Sequence, residues 1–208
     1  MSASIRSPMV RPENKDADMA RGSDTKHKIE RAALTLFVAR GVAETTTREI
    51  AFAAGIAEGT IYRHFTSKEQ LATDLFIGHH IGLARALDQA HKPHKSLGAK
   101  TRAIITAWCA SADADWLLFS YHLLHQHAHL INVKPDMPNP VTVIKAVIAQ
   151  AMAAGETPKR EIDIVTAMVM GVVLQPAIHK VYGRIEGKLG DRAEMFVEAA
   201  CKVLGCRK

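Results

Sequence analysis

The sequence predicts an all-α chain: a small three-helix unit near the N-terminus and a larger helical domain behind it. Three observations carry this. Apolar residues recur at three- and four-residue spacing almost throughout. Helix starts are marked by Thr or Ser followed three residues on by Glu or Gln, and helix ends by glycine or proline. Alternating β-type runs are scarce, and no repeat stands out. The chain has 208 residues, 48% of them hydrophobic, which is enough to build a core and excludes disorder throughout.

Residues 1–22 are polar and carry Pro8 and Pro12, so they read as a flexible arm. Arg6, Arg11 and Arg21 suit a minor groove, although an ordinary frayed terminus fits the same residues. The next unit spans 23–70. Its first helix is expected to be capped by Asp24, to bury Ile29, Ala33, Leu36 and Phe37 on one face, and to end at Gly41. Thr46 and Glu49 have capping-box spacing and open a second helix, with Ile50, Ala51 and Ala54 buried and Gly55 ending it. A third helix runs from about Glu58 to His64, with Ile61 and Phe65 pointing inward. Ser67 and Gln70 make another box and start a long helix to about Ala90. The remaining domain, 71–208, continues with helices at 97–112, 115–130, 140–154, 159–182 and 191–204, separated by Pro and Gly clusters.

Residues 46–64, TTREIAFAAGIAEGTIYRH, form a helix, a tight glycine turn and a second short helix. That is helix-turn-helix spacing, which presents the second helix to a major groove; a three-helix knot without a ligand has the same periodicity. The stretch from Ile29 to Leu75 resembles the DNA-binding domain of the tetracycline-repressor family of transcriptional regulators. The matching residues are Ala33-Leu34, Leu36-Phe37, Gly41, Thr46, Arg48-Glu49-Ile50-Ala51, Ala54-Gly55-Ile56, Gly59-Thr60-Ile61-Tyr62, His64-Phe65, Lys68-Glu69 and Leu71.

The resemblance implies that Thr46, Tyr62, His64 and Lys68 contact phosphates, and that Thr47, Arg48 and Thr60 face base edges. Arg63 reaches backbone or solvent. Thr46 could equally be only a cap, and His64 only a packed ring. Ala57 stands where the family often has serine, and Glu58 where lysine is frequent. Both bear on which operator is read. The formal charge of +6 permits a polyanionic partner without proving one.

The resemblance further implies a homodimer that reads a palindromic operator in double-stranded DNA and is released by a small apolar or aromatic effector. Val165, Val169 and Val172, with Phe196, Val197, Ala200 and Leu204 from the last helix, are the candidate dimer interface; the alternative is that they complete the monomer core. Trp108, Trp116, Phe119, Tyr121, His122, His125, Met152 and Met168 are candidate pocket residues, since aromatics and methionines suit a flat apolar molecule. Rival readings are a DNA-binding regulator without a small-molecule effector, and a helical metal- or haem-binding protein using His122, His125, His127 and His129. No standard zinc spacing accompanies those histidines, so no metal or cofactor is expected. His79 and His80 read as surface residues of the linking helix.

No enzyme signature is present: there is no phosphate-cradling loop and no nucleophile elbow. Asp113 and Asp115 read as caps rather than catalysts. Three cysteines, Cys109, Cys201 and Cys206, argue against a disulfide scaffold and for a reducing cytoplasm. The N-terminus lacks an apolar signal core. The greasiest segment, Ile164 to Ile178, is interrupted by Thr166, Gln175 and Pro176, short of the roughly 18 apolar residues of a membrane span.

Overall fold

Apolar helical periodicity becomes nine α-helices among the described residues of a computed structural model, which describes the backbone of 15–206 and the side chains of 22–206. They are α1 (Lys15–Arg40), α2 (Thr47–Ala54), α3 (Glu58–Ile61), α4 (Lys68–His91), α5 (Leu97–Ala114), α6 (Trp116–His129), α7 (Pro140–Ala153), α8 (Ile162–Val181) and α9 (Ala193–Leu204).

The start of α1 departs from expectation. Residues 15–22, assigned to the arm, are helical, and Asp24 lies inside the helix. Asp24 is therefore no cap; its carboxylate pairs with Lys28 one turn on, at 2.7 Å. Arg6 and Arg11 lie outside the described residues, as does the side chain of Arg21.

The other termini follow local chemistry. Gly41 adopts φ +87 and its N–H bonds to the Phe37 carbonyl, ending α1. The capping box is complete at Thr46, whereas at Ser67 only half forms. There the Gln70 side chain donates to Asp74 instead of reaching back. Asp115 caps α6 through Leu118 N–H. Asp113 accepts from the N–H groups of Leu189 and Gly190, pinning the turn before α9.

Two cores form. The head core packs Ile29, Phe37, Ile50, Ile61, Leu71 and Phe76, with Tyr121 reaching in from α6. The body core packs Leu87, Ile104, Trp108, Phe119, Ile148, Val169 and Phe196, among others. Helix α4 belongs to both: it lies against α1 at one end and against α5, α6 and α7 along its length. Two further bonds join head to body. Arg31 of α1 pairs with Asp115 at 2.5 Å, and the Tyr121 hydroxyl donates to the Ala72 carbonyl at 2.9 Å.

Helix α8 contains the greasy segment; it spans 20 residues and is long and apolar enough to cross a membrane by length and composition alone, as the core helix of a soluble protein also is. Val165, Thr166, Val169, Val173 and Ala177 form its buried side, against α7 and α9. Its opposite side is exposed.

Candidate nucleic-acid interface

The capping box at Thr46 fixes where α2 begins. The Thr46 hydroxyl accepts from Glu49 N–H at 3.2 Å and donates to the Glu49 carboxylate at 2.8 Å, which in turn accepts from Thr46 N–H at 2.9 Å. These bonds, to the Thr46 backbone first and its side chain next, hold the Glu49 carboxyl below its ordinary range. Both hydrogen-bonding groups of Thr46 are thus engaged within the protein, and the capping role is the one it fills.

Gly55, at φ +67, turns the chain so that α3 starts three residues later. A residue with a Cβ is strained at that angle, so the turn selects glycine. Helix α3 is shorter than expected, a single turn, because beyond Ile61 the backbone bonds tighten to Arg63→Thr60 and His64→Ile61. Ala57 supplies no side-chain cap, as its methyl group dictates.

The two helices are tied across their faces by Thr47. Its hydroxyl donates to Glu58 at 2.8 Å and lies 3.3 Å from the Tyr62 hydroxyl. Glu58 is thus held on a partner within the unit. Tyr62 stands 56% exposed, and Arg48 and Arg63 are exposed beside it. Thr60 and His64 are half-buried, the latter with its ring 6.4 Å from Phe65. Ala57, Glu58 and Gly59 are exposed at the start of α3.

Lys68 overturns an expectation. Its ammonium donates to the carbonyls of Val42, Ala43 and Thr45 at 2.9, 2.9 and 2.7 Å, and Glu69 lies 3.8 Å away. All three N–H donors are consumed in tying the α1–α2 turn to the start of α4, so none remains for a phosphate. The Lys68→Met variant should lose about 1–3 kcal/mol of stability in urea unfolding, because it leaves three carbonyls short of a charged donor.

This geometry has relatives. The profile described as bacterial regulatory proteins, tetR family, matches residues 29–75. That segment is similar to the tetR family, and the match covers it alone. The HTH-type transcriptional repressor KstR2 of Rhodococcus jostii is 50% identical over 46 residues, which is 22% of either chain. The regulator TtgR of Pseudomonas putida is 38% identical over 74 residues, covering 36% of this chain and 30% of that one. The chain therefore spans less than a third of the length of these curated relatives. A tetR-family transcription regulator structure from Shewanella sp. PV-4 covers 87% of this chain and 96% of its own at 25% identity, with a TM-score of 0.66. FadR from Bacillus subtilis, in complex with stearoyl-CoA, covers 87% of this chain and 99% of its own at 17% identity, with a TM-score of 0.69. These are transcription regulators, not enzymes, and the last likeness speaks for the fold alone.

The expected pocket residues divide. Trp108, Trp116 and Phe119 come together: the Trp108 and Phe119 rings meet edge-on at 4.8 Å, and Trp116 stacks at 6.2 Å. His122 joins them through His79, whose ring is 5.4 Å from Phe119 and 5.0 Å from His122. Tyr121 and His125 do not belong there. They lie at the head–body seam beside Phe37, because the opposite face of α6 points that way. Met152 is packed in the body core, and Met168 is 51% exposed on the outside of α8, so it lines no pocket.

His79 and His80, expected at the surface, turn inward: the first is half-buried and the second buried. His80 is 3% exposed and His122 9%, with His80 Nδ1 and His122 Nε2 hydrogen-bonded at 3.2 Å. Phe76 stacks against His80, His122 and His129. Burial pulls His79 down to about 4; Asp115 opposes that shift and His80 adds to it. Burial, then the neighbouring His79 and His80, pulls His122 down to about 3. His79 Nε2, His80 Nε2 and His122 Nδ1 are buried without a hydrogen-bond partner. Among the described residues no three ligands are placed to hold a metal ion. Contacts across 42 residues of sequence make this cluster, and periodicity on one helix does not reveal them.

The expected interface residues also move. Val165, Val169, Phe196, Val197, Ala200 and Leu204 are buried in the body core, and Val172 is half-buried against it. Side chains already sealed inside one subunit have no surface left for a twin. The exposed face of α8 carries Ile164, Met168, Gly171, Gln175 and, past its end, Tyr182, with Ile178 half-buried between them.

Proposed function

We propose that this protein is a homodimeric, effector-responsive repressor that binds a palindromic operator through two copies of the α2–α3 unit. The observation that carries the reading is the exposed surface formed by Arg48, Tyr62 and Arg63, with the half-buried Thr60 between them, held in place by the Thr47 bonds and the Lys68 clamp. Arg48 offers a two-pronged donor suited to guanine, and the Tyr62 hydroxyl and Arg63 suit phosphates.

Dimerisation follows from α8. Its outward residues fall at i, i+4, i+7, i+11, i+14 and i+18, one continuous stripe of a helix. Gly171 at its middle has nothing within 4 Å of where a Cβ would stand, so a second backbone can approach closely there. One short α3 reads few base pairs; two copies about 34 Å apart read a palindrome.

The effector site is placed around Trp108, Trp116 and Phe119, with His79 and His122 as its polar wall. The unpartnered imidazole nitrogens support this placement, since buried polar atoms are nearly always bonded to something. FadR of Bacillus subtilis, a neighbour of this fold, takes stearoyl-CoA, a long acyl chain on a charged carrier, in its own case. Control then operates as a population shift, the ligand favouring one arrangement of α4 against α6.

Gel shifts on the DNA upstream of the gene test the reading, with and without a panel of acyl and aromatic compounds. Arg48→Ala should lower discrimination among operator variants by about 1–3 kcal/mol at particular base pairs. Arg63→Ala should instead weaken all sequences equally and flatten the salt dependence. Equal affinity of wild type and both variants for all duplexes overturns the proposal.

A further inference from the structure

Two cysteines at the end of the last helix are left unused by the DNA-binding reading. Cys201 sits in the last turn of α9, and Cys206 follows the left-handed Gly205 that ends it. The Cys206 N–H donates to the Cys201 carbonyl at 3.0 Å, which folds the chain back so that the two residues lie side by side. Disulfides join residues whose Cα atoms are about 4.4–6.8 Å apart, and a backbone bond between the same two residues keeps them near that separation.

Both residues line a cleft of about 900 Å³ between α5 and α9, bordered by Gly98, Arg102, Glu194 and Lys202. Arg102 pairs with Glu194 across it. The third cysteine is sealed away from that cleft. Cys109 is 1% exposed within the body core, and burial raises it to about 11.

We propose that Cys201 and Cys206 are a peroxide-reactive dithiol that closes into a disulfide across the end of α9. In the first step the Cys201 sulfur attacks a hydroperoxide. An S–O bond forms, the O–O bond breaks, and the alcohol (water, for hydrogen peroxide) leaves with the thiol proton, giving a sulfenic acid. In the second step the Cys206 sulfur attacks Cys201. The S–S bond forms, the S–O bond breaks, and the departing hydroxide takes the Cys206 proton as water. The two thiols give up two electrons and the peroxide accepts them.

The order of attack follows from the site. Cys201, in the last turn of α9 and on the cleft wall with Arg102, is assigned the first attack, while burial pushes the Cys206 thiol up and suits it to the second. Cys206 then resolves the sulfenic acid next to it. The closed ring would pin the end of α9, whose Leu204 carbonyl already accepts from Thr157 and Arg160.

The test uses the full chain exposed to hydrogen peroxide, then alkylated and measured by intact and peptide mass spectrometry. The expected result is an intramolecular Cys201–Cys206 disulfide, Cys109 still alkylated, and full reversal by dithiothreitol. Cys206→Ser should stop at a Cys201 sulfenic acid that dimedone traps, while Cys201→Ser should leave Cys206 reduced. Three alkylated cysteines after peroxide, or disulfides only between chains, overturn the proposal. So does a Cys206→Ser protein that traps no dimedone. The wild-type measurement stands whether or not either variant folds.

Discussion

Met168→Asp is expected to leave the protein folded but monomeric, and to weaken binding to a two-half-site operator by about 10²–10⁴-fold. Met168 is 51% exposed in the single chain, so the charge is hydrated there and costs the monomer little. Pressed against a twin α8, the same carboxylate meets Ile164, Gly171 and Ile178 of the stripe and finds no cation on that face. Burying an unpaired charge costs several kcal/mol, enough to dissociate a dimer held by apolar contact. Each freed head then binds one half-site, and the effective concentration that the second head enjoyed is gone. Sedimentation velocity and gel shifts on one- and two-site duplexes check both parts. The mutant should match wild type on a single half-site and fall behind only on two. A dimer that persists at micromolar protein would show that α8 does not pair.

The second large effect is on acid stability. In the unfolded chain a histidine takes up a proton near its ordinary value of about 6.5. In the folded protein burial delays that step to about 4 for His79 and about 3 for His122. Between those values the unfolded state holds more protons. Stability therefore rises with pH across the window and is lost as pH falls from about 6.5 toward the folded values. Each such histidine contributes a slope of about 1.4 kcal/mol per pH unit. A domain with about 5–15 kcal/mol in hand feels that quickly.

The groups around them do little to soften the effect. Asp115 alone raises His79, and it is already paired with Arg31. His80, His125 and His129 are lowered by burial as well. Urea unfolding at steps from pH 7 to pH 5 should show the midpoint falling steadily, above the range where carboxylates titrate. His122→Phe, which stacks on Phe76 without titrating, should flatten the fall. A midpoint independent of pH across that window would mean that these imidazoles are hydrated.

The parts of this architecture that the sequence announces are those set by near neighbours. Thr46 with Glu49, Gly41, Gly55 and Pro140 each mark a helix end through atoms a few residues apart, and each end falls where those residues place it. Lys68 shows the limit. Its three carbonyl partners lie 23 to 26 residues earlier, so no local pattern tells a clamp from a phosphate contact. The histidines repeat the lesson across 42 residues. Helix α8 fails for another reason: apolar on all sides, it gives no sign of which face the body takes. The clean stripe of α9 does mark a buried face, and that face closes the subunit itself.

Tyr121 hooked onto Ala72 bolts the front of α6 to the fourth helix, and Arg31 gripping Asp115 bolts it to the first. A molecule wedged beside Trp116, one residue past that bolt, cannot shift α6 without dragging α1 along. The two reading heads of a pair would then swing like callipers, their gauge set by how far the wedge drives, and a DNA groove of fixed pitch would accept only one setting.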